Sequence, residues 1–494
     1  MYKEEFEKII RKYSTIDLIK FCSNLSIVMY ENKEPFKIEN LPYYYKNGVK
    51  AGNFNFMYAQ HELINLVYLS ILYGNDYRKL KMDENEFVDV LDKLKKYKNE
   101  LSGKDTEVAK RHQEFFVILF NEQIEFQKIN TFTNKFNRIC FIFEYINKKY
   151  KDYSEYIDFE LEIQELMGMT IEEYNELNLF ITLLTVGSKN SDLTEMIENM
   201  ELNLDEFSFS KTKLKEFIEF NAKDYAYFRN IDKGTENWNN LKYSPLIKTD
   251  RYGHVLVSNI YGFIISFSTR MYWLIRDKYR KKNSQVFTNY FGYCFEMYLK
   301  ELLEYYKVKK YEKISEKNKK QPDWLIETND YNLVIEQKST LFTLGSRETT
   351  LENKYEEVDK FIHVIKEAMS QLSNFDIDNN KITLRLCLTF EEVDAIEPIQ
   401  ELSTSDLKTE EKELYWLINI SDFEKLIYLM TNDYDEFKRV IEKKIYLEKT
   451  HDKNGRSFEK ILPTENKYIK ARLDYFKNIS DNIIDKLKQW KSQN

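Results

Sequence analysis

Between Gln321 and Ser339 the chain reads Gln-Pro-Asp-Trp-Leu-Ile-Glu-Thr-Asn-Asp-Tyr-Asn-Leu-Val-Ile-Glu-Gln-Lys-Ser, and three of these residues, Asp323, Glu336 and Lys338, have the types and spacing for chemistry. A hard divalent cation, Mg2+ (or Mn2+), takes carboxylate oxygens and keeps several waters, so two carboxylates converging from adjacent strands make a credible metal site. A lysine beside them can orient or deprotonate an attacking water, or offset charge that develops on a phosphoryl group.

Those residues need a hairpin to meet. Asp323 opens a strand read at 323–327, Asn329-Asp330 makes the turn, and the returning strand at 332–339 carries Glu336 and Lys338 on one face, because side chains alternate with period two. The bland alternative makes Asp323 a turn residue after Pro322, and Glu336 and Lys338 a solvated strand edge. Against it, Leu333-Val334-Ile335 is a continuous apolar run, the mark of a strand buried on both faces, where an unpaired Glu or Lys is costly.

Around the hairpin, strands are read at 309–314, 381–389 and 414–420, with a helix at 352–372. A long helical region, 260–306, precedes them; Gly292 is an interruption or close-packing point, and Phe295, Leu299, Leu302 and Leu303 form the inward stripe. The order is α-β-β-β-α-β-β. Ser421 is read as the N-cap of a following helix with Glu424 at the capping-box position, and a last helix is read at 467–490.

Pro322-Asp323 followed by Glu336-Gln337-Lys338, in that element order, resembles the PD-(D/E)XK (restriction-endonuclease-like) nuclease superfamily over roughly residues 244–444. The resemblance implies that Asp323, Glu336 and the Gln337 carbonyl hold the metal and that Lys338 positions the attacking water. It matches Glu296, in Tyr-Phe-Gly-Tyr-Cys-Phe-Glu-Met-Tyr, to the acidic residue on the first helix, and Gln371 to the polar residue on the helix after the third strand, with Lys366 as the other choice there. Gln337 departs from the usual apolar middle residue, so the opposite face of that strand is either wet or hydrogen-bonded. The implied activity is a DNA endonuclease in restriction or anti-phage defence. A ribonuclease toxin, and a non-catalytic nucleic-acid-binding or assembly protein that keeps the fold, are the alternatives.

The rest of the chain bounds that reading. Residues 1–240 show apolar spacing of three to four, as in Ile9, Ile10, Tyr13, Ile16 and Leu18, and are read as a helical domain for recognition, oligomerisation or regulation. Breaks are read at 32–35, 101–104 and 187–191, and a short hairpin at 243–257 opens the nuclease-like domain, 241–462, with 463–494 as a C-terminal helix. The expected fold class is α+β: a mostly helical N-terminal domain, then an α/β/α core with a mixed central sheet.

Net charge is −8, with 74 Lys+Arg against 82 Asp+Glu, yet residues 270–320 hold fourteen Lys/Arg and six Asp/Glu. Nucleic acid is therefore the expected partner, gripped through its phosphates by Arg276, Arg280, Lys281, Lys282, Lys317, Lys319 and Lys320, and the resemblance implies DNA ahead of RNA. Cys22, Cys140, Cys294 and Cys387 show no metal or disulfide spacing, and His61, His112, His254, His363 and His451 form no HxxxH pair. With no phosphate-loop motif, any motor or sensing function must come from a separate ATPase or sensor partner; a homodimer is the weakly expected assembly. Tyr43-Tyr44-Tyr45 and Phe54 to Tyr58 are read as core filling ahead of stacking platforms. The start Met-Tyr-Lys-Glu-Glu lacks an apolar leader and no run approaches a membrane span, so a cytoplasmic protein with no membrane partner is expected.

Overall fold

The computed structural model describes residues 2–30, 60–78, 80–102, 132–199, 204, 207–314, 321–339, 351–377, 380–390, 396–407, 411–450, 457–463 and 485–486. Among them, α1 (Tyr2–Ile10), α2 (Thr15–Tyr30), α3 (Gln60–Tyr73) and α4 (Glu84–Ser102) close on one core through Phe6, Leu18, Leu66 and Phe87. A second set follows: α5 (Phe132–Cys140), which runs through a π-helical turn at Phe141–Ile146 to Lys149, then α6 (Phe159–Met167), α7 (Ile171–Ser188), α8 (Leu193–Asn199) and α9 (Lys211–Asn221). Local signals set their ends. Thr170 and Glu173 form a reciprocal capping box at the start of α7, and Gly168 ends α6 in the left-handed region at φ 67°.

A small sheet joins the helical array to the rest. β1 (Ala222–Asp224) pairs in parallel with β2 (Leu246–Lys248), which turns back antiparallel into β3 (Val255–Val257). The hairpin was legible; β1, set within the stretch read as helical, was not, because three residues carry no periodicity. This sheet has one core on each face: Leu246, Val255 and Val257 join the larger core, while Ile247 and Leu256 join that of α1 to α4. α10 (Tyr225–Asp232) and α11 (Asn240–Tyr243) lie between β1 and β2.

The helical region 260–306 is two helices, α12 (Ile260–Arg280) and α13 (Val286–Tyr305). The break falls at the polar Lys281-Lys282-Asn283-Ser284, with Asn283 left-handed at φ 52°, and α13 passes unbroken through Gly292. Gly292 is the close-packing point: a Cβ there would sit 3.4 Å from the Ser339 hydroxyl.

The main sheet has the order β4 (Tyr311–Lys313), β5 (Trp324–Glu327), β6 (Tyr331–Lys338), β7 (Ile382–Thr389), β8 (Tyr415–Asn419). β4, β5 and β6 are antiparallel neighbours; β6, β7 and β8 run parallel. Parallel neighbours need crossovers, supplied by α14 (Leu351–Ser373) and by α15 (Ile396–Thr404), a helix the sequence reading omitted. Period-two alternation sends Leu333, Ile335, Leu386 and Trp416 to the core shared with α13, α16 (Ile420–Asn432) and α17 (Tyr434–Lys449), and Val334, Cys387 and Leu417 to the core under α14 and α15. The fold is therefore α+β, with an α/β/α core whose sheet is mixed. α18 (Phe458–Ile461) packs on the larger core; the helix expected at 467–490 lies outside the described residues except for Asp485 and Lys486.

The larger core runs from Phe136 in α5 to Leu462. Within it, Arg138 of α5 donates to Glu424 of α16 at 2.8 and 3.2 Å and to the Ser421 hydroxyl at 2.8 Å. This corrects the expected cap. Asn419 caps α16 by accepting from the Asp422 N–H at 2.9 Å, so Ser421 and Glu424 are free to face the helical array.

Candidate functional site

The β5–β6 register pairs Trp324 with Ile335, which places Asp323 across from Glu336 at one end of the sheet. Two bonds lock that end: the Asp323 N–H donates to the Ile335 carbonyl at 2.9 Å, and the Gln337 N–H donates to Asp323 Oδ2 at 2.7 Å. Asp323 is thus fixed by the backbone of the strand that carries its partner. Glu336 is 4% exposed, and its Oε1 accepts from Lys338 Nζ at 2.7 Å. Its Oε2 is buried with no hydrogen-bond partner among the described residues. A buried carboxylate oxygen left without a donor is an acceptor site open to a cation.

Helices complete the surroundings. α14 brings Gln371 to Lys338, whose ammonium lies 3.4 Å from Gln371 Oε1. Glu296 on α13 forms an ion pair at 2.7 Å with Lys313 of β4. Gln337 turns its side chain to the opposite face, where its Nε2 donates to the Phe295 carbonyl at 3.1 Å and its Oε1 accepts from Trp324 Nε1 at 2.7 Å. The departure from an apolar residue is thereby explained: Gln337 ties α13 to both strands of the hairpin.

The electrostatics follow from burial and crowding. Burial raises the Asp323 carboxyl well above its ordinary value, the Glu336 charge adds to the rise, and the Gln337 N–H partly offsets it. Burial also raises Glu336, against the opposing pull of Lys338. For Lys338 burial acts to lower the pKa, and the neighbouring Glu336 overcomes it, so the ammonium is held charged. Glu296 contributes to the rise at both buried carboxylates. Once ionised, the three carboxylates share two ammonium groups, Lys338 and Lys313, leaving one negative charge in excess. A divalent cation reverses that sign and leaves the site attractive to an anionic phosphodiester.

The donor set fits magnesium better than a borderline metal. Among the described residues no three His, Cys, Asp or Glu side chains gather around one point as a metal cage would. Two carboxylates, supplemented by a backbone carbonyl and water, are the pattern Mg2+ accepts. Asp323 and Glu336 with the Gln337 carbonyl are the residues that would hold it.

Asp323, Glu336, Lys338 and Gln371 thus come together, and Glu296 reaches them through its charge. Lys366, the other choice on α14, is tied to Asp406 at 2.6 Å. The expected phosphate-gripping residues are elsewhere: Arg276 lies 5.0 Å over the Trp273 ring, Arg280 pairs with Asp277 at 3.4 Å, and Lys281 and Lys282 occupy the α12–α13 turn. That turn is more than ten residues before Glu296 along α13, on the order of 15 Å at the helical rise. Lys317, Lys319 and Lys320 lie outside the described residues, as do His112, His451, Tyr43 to Tyr45 and Phe54 to Tyr58. His254 bonds Asp192 at 2.6 Å and directly precedes β3 of the small sheet. Lys313 was missed, although the register that sets it beside Trp324 follows from the strand read at 309–314. All four cysteines are buried and free, and burial pushes the Cys387 thiol, beneath the site, up to about 12.

No protein-family model matches this chain, and no curated protein or solved structure is similar to it. Among the described residues no helix is long and apolar enough to cross a membrane.

Proposed function

We propose that this protein is a divalent-metal-dependent nuclease that hydrolyses phosphodiester bonds, with DNA as substrate. The observation that carries the reading is the meeting of Asp323, Glu336, Lys338 and Gln371 at one end of a mixed sheet, with a Glu336 oxygen left without a donor. Bound there, a magnesium ion would supply Lewis-acid stabilisation of charge on the phosphoryl oxygens. Asp323 and Glu336 would hold the cation, and the Gln337 N–H fixes the Asp323 carboxylate. Lys338 stays protonated beside Glu336, so in the ground state it orients the attacking water and offsets phosphoryl charge rather than removing a proton. Gln371 holds the lysine at its station.

The direct test is cleavage of plasmid, linear and single-stranded DNA and of RNA, with magnesium, manganese or EDTA, by the native protein, Asp323→Ala and Lys338→Ala. Metal-dependent DNA cutting that both substitutions abolish is the expected result; full-rate cutting by either variant contradicts it. Cutting of RNA alone selects the ribonuclease alternative. One observation favours a non-catalytic reading: Lys313 already neutralises Glu296. Under that reading magnesium neither binds nor shifts thermal stability.

A further inference from the structure

The strands that carry the carboxylates have a second end, and it has the opposite character. There the β5–β6 turn, the α13–β4 connection and the α16–α17 corner surround a cleft of about 980 Å³. That volume is at the upper end of the roughly 300–1,000 Å³ typical of small-molecule and cofactor sites. Its wall includes Lys307, Lys309 and Lys310, which are exposed and have no carboxylate partner among the described residues. Three nearby acids face other lysines, Glu327 to Lys381 at 3.4 Å, Asp330 to Lys438 at 3.7 Å and Glu304 to Lys300 at 3.9 Å, and Glu312, exposed on β4, is not among the lining residues. Three cationic side chains therefore remain uncompensated on one wall. Lys307 also holds a left-handed backbone at φ 53°, a position where glycine is unstrained.

Four tyrosines, Tyr305, Tyr306, Tyr428 and Tyr434, line the cleft beside polar residues such as Thr328, Asn329 and Asn432. Tyr305, 37% exposed, meets Tyr306 edge to face at 5.0 Å, and Tyr306 meets Tyr428 at 6.0 Å. Tyr434 pins the turn by donating to Asp330 at 3.0 Å and receiving the Asp330 N–H at 3.2 Å, so its ring is preset. Uncompensated ammonium groups bind phosphate, and tyrosine rings stack on a planar base. From this combination we infer that the cleft binds a nucleoside phosphate, with the phosphate on Lys307, Lys309 and Lys310 and the base against the tyrosines. The ligand is either a free nucleotide or one unit of a nucleic-acid strand, since both present the same groups. The inference stands on the cleft alone and does not depend on the nuclease reading.

Fluorescence titration of the full chain with mant-ADP and with a fluorescein-labelled thymidine 12-mer tests it, comparing the native protein with K309E/K310E, K309A/K310A and K338A. Both lysines are exposed, and unchanged circular dichroism verifies the fold of each variant. Binding should weaken about ten-fold or more in K309E/K310E and weaken less in K309A/K310A. Mant-ADP binding identifies the free nucleotide as the source; binding of the 12-mer alone identifies a strand. The inference is overturned if neither probe binds the native protein, or if either binds K309E/K310E as it binds the native chain. Loss of binding in K338A with none in K309E/K310E would also overturn it, by moving the ligand to the other end of the sheet.

Discussion

Two of the buried charge clusters among the described residues are built on opposite terms. In the first, Arg138, Glu424, Ser421 and Tyr298 satisfy one another: both charged side chains are 2% exposed, and Tyr298 adds a hydrogen bond at 2.5 Å to the Glu424 oxygen already bonded to Arg138 Nε. In the second, burial raises both carboxyls, with the Glu336 charge adding to the rise at Asp323 and the Glu296 charge to that at Glu336, and one Glu336 oxygen has no donor. Both clusters pay the desolvation penalty of buried charge, but only the first recovers it within the folded chain. The lesson is that burial of charge does not by itself mark function; on the reading proposed above, the unsatisfied oxygen is the distinguishing feature. Arg138 joins the helical array to α16, whereas the Asp323 pair leaves one carboxylate oxygen without a donor among the described residues.

Substitutions that separate catalysis from stability sharpen this contrast. Asp323→Ala and Lys338→Ala should each lower cleavage by about 1,000-fold or more while leaving circular dichroism unchanged, since each removes charge from the place where the reaction needs it. Retention of even a tenth of native activity by either variant would break the comparison on its functional side.

On the structural side, Arg138→Ala should destabilise the protein by about 3–5 kcal/mol in urea titrations, because Glu424 is left buried and unpaired. Replacing both partners, Arg138→Met with Glu424→Leu, should restore most of that loss. A double variant as unstable as the single one would show that the pair does more than satisfy itself.

The reverse is expected of the carboxylate pair. A raised carboxyl pKa means that the folded state binds more protons than the unfolded state in the window between the ordinary value and the raised one. Stability of the metal-free protein is then highest below that window and falls as pH rises through it. Asp323→Asn and Glu336→Gln should therefore raise the stability of the metal-free protein at pH 8 by about 1–2 kcal/mol and flatten its pH dependence, as removal of a functional strain does. Destabilisation of both variants at pH 8 would place this pair with Arg138–Glu424 among the structural devices. The smallest effect belongs to Gln371→Ala, about ten-fold in kcat with KM for magnesium little changed, because Gln371 acts through Lys338.

The sequence made the second cluster legible and hid the first. Pro322-Asp323 and Glu336-x-Lys338 sit within one hairpin, so period two and a short turn suffice to bring them together. Gln371 was reachable only through the family resemblance, which implies a polar residue on the helix after the third strand. Arg138 and Glu424 are 286 residues apart on different helices, and no local pattern couples them. Ser421-x-x-Glu424 even imitated a capping box, since cap and tertiary contact draw on the same residue types. The same limit explains α15 and β1: an added crossover helix and a three-residue strand are fixed by packing, not by periodicity.

The measurement that tests the central claim most directly is Mn2+ binding at pH 8, followed by the loss of the free-ion electron paramagnetic resonance signal in the native protein, Glu336→Gln and Arg138→Met/Glu424→Leu. The account predicts a saturable site in the native protein that Glu336→Gln removes and the double variant keeps. Equal binding by the native protein and Glu336→Gln would contradict it, because the unsatisfied carboxylate pair would then not be where the cation goes.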